Sequence, residues 1–350
     1  MINPMLSEGL FFFKYCYHLL YLIILLTMLF IVTFSYCIVG DFCQNLSIPH
    51  FGMEQPGDTY YYSPLFVYCF GVVDACATPD VLHSYGYSED IGGKGGNNVA
   101  SLLMLALENL GWLIPGVAGK RLSIVMDNCT GQNKNKHVLR IALWLVELHY
   151  FEKVEFIFYV RGHTKNVCDR MFNLLKKRYH RHQIYTMAQL CHNLNMLPNT
   201  NFYTVQSDVF YNYDAMFDRF YKPFKPGTVT RNHVFWVEAT SPTVMHTKLF
   251  DCSEDVVSFD HCLFSSPACL LSYPSRIQSM KEHVKIALEP PGMKPIKQVE
   301  LWKKWRKFVP REYWEEICKE PTEETKRNVA FDRNEKQKKN SRRGRKRAGV

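Results

Sequence analysis

The sequence predicts an α/β fold, a mixed sheet with flanking helices. Three observations lead there. Arg121–Tyr179 reads twice as an apolar strand running into a polar turn and then a helix. Strands that alternate with helices pair in parallel, because only a crossover can connect parallel neighbours. Polar residues also collect just beyond the ends of these strands, where open α/β sheets place their sites.

Taken in order, the chain begins with an apolar run. Tyr17–Val39 spans 23 residues without Asp, Glu, Lys or Arg, the length and apolarity of a membrane-spanning helix. Lys14 precedes it and the next Lys or Arg is Lys94, which would leave the N-terminus in the cytosol if the segment inserts. Residues 1–40 therefore read as a hydrophobic helix, either a transmembrane anchor or a leader foreign to the domain behind it. Asp41 falls where a first strand of that domain is expected. Phe66–Val73 and Val81–Ser88 are the second and third strands. Gly92-Gly93-Lys94-Gly95-Gly96 lacks the spacing and the hydroxyl of a phosphate loop and reads as a turn. Val99–Leu110 follows as an amphipathic helix.

The two central repeats come next. Leu122–Met126 is an apolar strand ending on Asp127, and the turn formers Asn128, Thr130, Gly131 and Asn133 carry the chain into a helix over Lys136–His149. Val154–Val160 is the fifth strand and Arg161-Gly162-His163-Thr164 its turn. Thr164 is the expected N-cap of a helix over Lys165–Tyr179. The core thus covers residues 41–180. A C-terminal α+β extension covers 181–320. It contains short helices at Met187–Leu194 and Val209–Tyr221, a strand at Phe202–Gln206 and a hairpin of Val234–Glu238 with Val244–Phe250. Cys252–Glu289 is irregular, and two helices close the extension at Lys297–Phe308 and Glu312–Lys319. From residue 321 the composition is that of a solvated tail.

Charge sharpens the last point. The net charge is +9, and Lys326–Val350 alone hold 11 Lys/Arg against 2 Asp/Glu, so the rest of the chain is balanced. Arg342, Arg343, Arg345, Lys346 and Arg347 form a patch suited to nuclear targeting or DNA contact. Lys134 and Lys136, near a helix start, are further candidates for phosphate contact. Twelve cysteines occur without one C-x-x-C pair, the usage of reduced core thiols rather than of a disulfide framework or zinc finger.

Up to Tyr179 the element order is β-β-β-α-β-α-β-α, that of the ribonuclease-H-like nucleases, integrases and transposases. Such enzymes gather carboxylates because two divalent ions must be caged by hard oxygens to clamp the attacking and leaving oxygens of a phosphodiester. The segments DFCQNLSIPHF, DNCTGQNKN, VRGHTKNVCDRMFNLLKKRYH and PPGMKPIKQVELWKKWRKFVP resemble a eukaryotic family of unknown function derived from transposases. The resemblance runs from Asp41 to about Cys318. It implies Asp41, Asp127 and Asp169 as catalytic, metal-binding acids with His163 beside them, Mg2+ or Mn2+ as cofactor, and DNA as partner; the basic tail places the chain in the nucleus if the leader is not real, and Tyr17–Val39 places it in a membrane if that segment inserts. Asn173–Lys177 offers no glutamate, so the third ligand rests on Asp169. Two other functions stay open: a non-catalytic nucleic-acid-binding or scaffold protein, and a single-pass membrane protein anchored by Tyr17–Val39.

Overall fold

A computed structural model describes residues 35–116, 119–160, 166–263 and 273–332. In chain order its first half holds β1 (Ser35–Phe42), β2 (Leu46–Ile48), β3 (His50–Phe51), β4 (Leu65–Asp74), β5 (Leu82–Ser88), α1 (Gly96–Asn109), β6 (Arg121–Met126), α2 (Lys136–Glu147), β7 (Lys153–Phe158) and α3 (Val167–Tyr179). The second half adds β8 (Gln183–Ile184), α4 (Met187–Asn195), β9 (Thr200–Thr204), α5 (Tyr213–Phe217), β10 (Val234–Glu238), β11 (Val244–Lys248) and β12 (Val257–Asp260), followed by short helical segments. Ten strands form one mixed sheet ordered β12-β11-β10-β7-β6-β1-β4-β5-β9, with β2 paired to β4 off this path.

Strand β1 sits in the middle of that sheet, parallel to β6 and antiparallel to β4. Its residues alternate between two cores, as the period-two geometry of a strand requires. Ile38 packs into the cluster that holds α1 and α2, while Val39 and Cys43 join the cluster built on α3, α4 and Trp305. A strand buried on both faces reads as a continuous apolar run. This is why the hydrophobic run of the sequence does not end where it was expected to. Its last five residues, Ser35–Val39, are β1 and not helix, and the division at residue 40 cuts through a central strand. Among the described residues no helix is long and apolar enough to cross a membrane. The remainder of the run, before residue 35, lies outside the described residues.

Helix α3 lies close to the sheet because of one glycine. A Cβ on Gly71 would meet the Phe172 ring at 2.5 Å, so the approach exists only where β4 has no side chain. Cys168 Sγ donates to Val39 O at 3.1 Å and fixes the start of α3 above β1. That start is Val167, and its N-cap is Asn166 in a capping box with Asp169; the expected cap, Thr164, lies outside the described residues.

The extension is continuous with the core sheet. β9 pairs with β5 at one edge, and the β10–β11 hairpin with β12 extends the other edge from β7. Three local expectations differ. The helix expected over Val209–Tyr221 reduces to α5, because Asn212 caps a helix starting only at Tyr213. The stretch Cys252–Glu289 contains β12 and a helix over Tyr273–Glu282. Residues 323–332 are helical rather than solvated coil, since Val329 is buried and Lys326 packs 4.3 Å from the Trp302 ring centroid.

Candidate functional site

The register of the central strands builds the site. The last parallel pair of β1 and β6 is Gly40 with Met126. Asp41 and Asp127 therefore follow at neighbouring positions on strands spaced ~4.8 Å apart, with side chains on the same face. Met126 in turn faces Phe158 on β7, and Tyr159 N donates to Met126 O at 3.0 Å, which brings Tyr159 into the same row. On the other side Asp41 faces Gly71. The row across four strands is Gly71, Asp41, Asp127, Tyr159, on the face that carries Val39, Cys43 and α3.

Each carboxylate is oriented locally. Asp41 Oδ1 accepts from Phe42 N and Asp127 Oδ1 from Asn128 N, both at 2.7 Å. Asp169 Oδ2 accepts from Asn166 N at 3.2 Å, and Asn166 Oδ1 accepts from Asp169 N at 3.1 Å. Asp169 thus carries the bland role of a helix-capping acid while sitting near the row. None of the three has a salt-bridge partner among the described residues.

Electrostatics ties the three acids together. Burial pushes the Asp41 carboxyl up to about 6 from 3.8; the Phe42 N–H opposes this, and the negative charges of Asp169 and Asp127 add to it. The Asn166 amide pulls weakly the other way, although its buried Nδ2 has no full hydrogen bond. The Tyr159 phenol is raised by burial first, then by neighbours that include Asp169 and Asp41. Lys94 is a cation within electrostatic reach of Asp41. Its Nζ donates to Asn45 Oδ1 at 2.6 Å and lies 4.8 and 4.9 Å from the Phe42 and Tyr68 ring centroids. Burial lowers its pKa, against the raising influence of Cys43, Cys69 and Asp41.

Two adjacent carboxylates without a basic partner are a hard-oxygen donor set suited to a divalent ion of the magnesium class. A three-acid cage is not assembled: among the described residues no three His, Cys, Asp or Glu side chains are grouped to hold a metal ion. His163 lies outside the described residues, as do Arg342, Arg343, Arg345, Lys346 and Arg347. Lys134 is only 1% exposed and donates to Thr230 O at 3.3 Å, and Lys136 is paired with Asp214 at 2.5 Å. Neither ammonium is free at the surface.

Sequence reasoning missed Tyr159, Asn166 and Lys94. Tyr159 had a signal, since it stands one place beyond an alternating strand. Asn166 could have been found as an N-cap followed three residues later by an acid. Lys94 was marked by the glycines around it but read only as part of a turn; Tyr87 Oη donates to Gly93 O at 2.7 Å and holds that loop.

Residues 93–254 match one family model. Its description is Domain of unknown function (DUF7869). The matched stretch includes Lys94, Asp127, Tyr159 and Asp169, leaves out Asp41, and is less than half of the chain. No curated protein matches. Among solved structures the chain is similar to one described as "Crystal structure of NurA bound to dAMP and manganese", at 14% identity over 74% of this chain, with a TM-score of 0.18. The chain spans about half of that structure's length, 51%. A likeness that low carries no argument about fold or activity.

Proposed function

We propose that the chain is a ribonuclease-H-like domain of transposase origin that acts on phosphodiester bonds of DNA, with Mg2+ or Mn2+ held by Asp41 and Asp127. The observation that carries this reading is the row Asp41–Asp127 at the carboxyl ends of two parallel central strands, with Asp169 on the helix above. The strand order β5-β4-β1-β6-β7, in which β1 is antiparallel to β4 and parallel to β6, supports the same reading. So does the order of helices and strands through α3.

Asp41 and Asp127 bind the ion, with the Phe42 and Asn128 N–H groups fixing one oxygen of each. The ion supplies stabilisation of the charge that develops on phosphodiester oxygens. Asp169 adds negative charge to the site, and His163 is the proposed fourth member. The tail patch Arg342–Arg347 contacts the DNA backbone and directs the chain to the nucleus. Lys134 and Lys136 reach phosphates only if the packing that buries one and the Asp214 pair that holds the other give way.

The ungrouped third acid favours a second reading, a DNA-binding domain that has lost catalysis. Conversion of supercoiled plasmid to nicked circles separates the two. The first reading predicts manganese-dependent nicking by the full chain that disappears in Asp127→Asn. Plasmid binding without nicking by the wild type, at any manganese concentration, supports the second.

A further inference from the structure

A groove at the C-terminal end of the described chain has the make-up of a second binding surface. It is an open, shallow depression of about 540 Å³ lined by Trp302, Lys303, Arg306, Lys307 and Trp314. Three of the five are cations, two are indoles, and none is an acid. The volume suits one flat ligand group of modest size.

The fold explains how these side chains come to face outward together. Pro295–Glu300 is α-helical, Leu301–Trp305 is a π turn and Arg306–Phe308 a 3-10 turn, so one helical rod runs through three windings. Its inner side, Leu301, Trp305 and Val309, is buried in the same cluster as Val39 and Cys43. In the π turn Arg306 N reaches back to Leu301 O, one residue further than in an α-helix. Such turns recur at functional sites because they swing side chains off the regular helical face.

The groove is also built rather than merely exposed. Trp314 Nε1 donates to Arg306 O at 3.1 Å and to Val309 O at 2.8 Å, which locks its ring. The Arg306 guanidinium carbon sits 3.9 Å from that ring's centroid. No carboxylate pairs with Arg306 or Lys303 among the described residues, and the buried Arg306 Nε and Trp302 Nε1 have no acceptor. Lys307 pairs with Asp58 at 2.8 Å, but both side chains are more than half exposed, and such a pair holds the lysine weakly.

We infer that this groove binds single-stranded nucleic acid, with a base stacked on the Arg306 plane that itself lies on Trp314 and phosphates on Lys303 and Arg306; the Trp302 ring already carries Lys326. Flat aromatic and guanidinium surfaces beside uncompensated positive charge are what stacking and backbone contact require. An acidic peptide would use the charges but leave the ring planes idle. Duplex DNA offers no free base face. This groove does not depend on the carboxylate row, and its test excludes metal so that the two readings fail separately.

The test is the anisotropy of a roughly 12-nucleotide fluorescent oligothymidylate titrated with the full chain in EDTA, at several salt concentrations. Lys303→Glu, at an exposed position, should weaken binding about tenfold and reduce the salt slope by about one. Arg306→Lys keeps the charge and loses the plane, and it should also weaken binding; wild-type affinity in that variant would overturn the stacking. Wild-type affinity and slope in Lys303→Glu would overturn the inference, whatever Arg306→Lys does to stability. Displacement of the oligonucleotide by polyglutamate as effectively as by unlabelled oligothymidylate would overturn it too, leaving only a patch of charge.

Discussion

Asp41 and Asp127 stand side by side, one residue beyond the Gly40–Met126 pair that ends the parallel ladder of β1 and β6. Both are acids, both point to the face beneath α3, and Asp41 titrates far above an ordinary aspartate. Burial of Asp41, with the charges of Asp169 and Asp127 adding to it, costs stability in the ligand-free protein, which makes the site measurable without knowing its substrate.

The sign of that cost is fixed. A folded-state pKa of about 6 against 3.8 unfolded means that the native state binds the proton more tightly. The contribution of this group is therefore most favourable below pH 4, falls as pH rises from about 4 to 6, and stays reduced above it, by about 3 kcal/mol. Asp41→Asn should flatten that slope and raise the melting temperature at pH 8. Urea denaturation of both proteins across pH 4–8 checks it; parallel curves would remove Asp41 as the source.

Gly71→Ala tests the packing that places α3. The added methyl would sit 2.5 Å from Phe172, and overpacking of this kind costs about 1–3 kcal/mol. Pairing it with Phe172→Leu, which clears the ring, should restore part of the loss. An unchanged melting temperature in Gly71→Ala alone would show that the helix does not bear on the sheet at this point.

The start of the domain is a third check. A chain begun at Ser35 keeps all of β1 and should unfold cooperatively. One begun at Val39 loses Ile38, which is fully buried, and four of the six register pairs with β6. It should aggregate or unfold without a transition. Equal stability of the two products would mean that β1 contributes nothing before Val39.

How much of this was legible in the sequence depended on how local the signal was. The two central repeats could be read because Leu122–Met126 and Val154–Phe158 alternate and because α2 and α3 follow with helical spacing. Strand β1 could not be separated from the run before it, since a strand buried on both faces has no polar beat. Asp41 and Asp127 were found as acids at strand ends, but their neighbouring register is a property of pairing across some eighty residues. The boundary of the tail was misplaced because ten residues of largely polar composition hid one apolar anchor, Val329. Lys94 and the segment around Trp302 were both visible in the sequence, one as a glycine-flanked lysine and the other as part of a family-like motif, but where they sit depends on packing between distant segments.

The central claim is that Asp127 is a metal ligand beside Asp41. The most direct measurement is the melting temperature of the wild type and of Asp127→Asn, each with and without millimolar manganese. Binding to the folded state alone raises the transition, and relief of carboxylate repulsion adds to the gain. The account predicts a clear upward shift for the wild type, little or none for Asp127→Asn, and an apo variant at least as stable as the apo wild type. No shift in the wild type, or the same shift in both proteins, would contradict it.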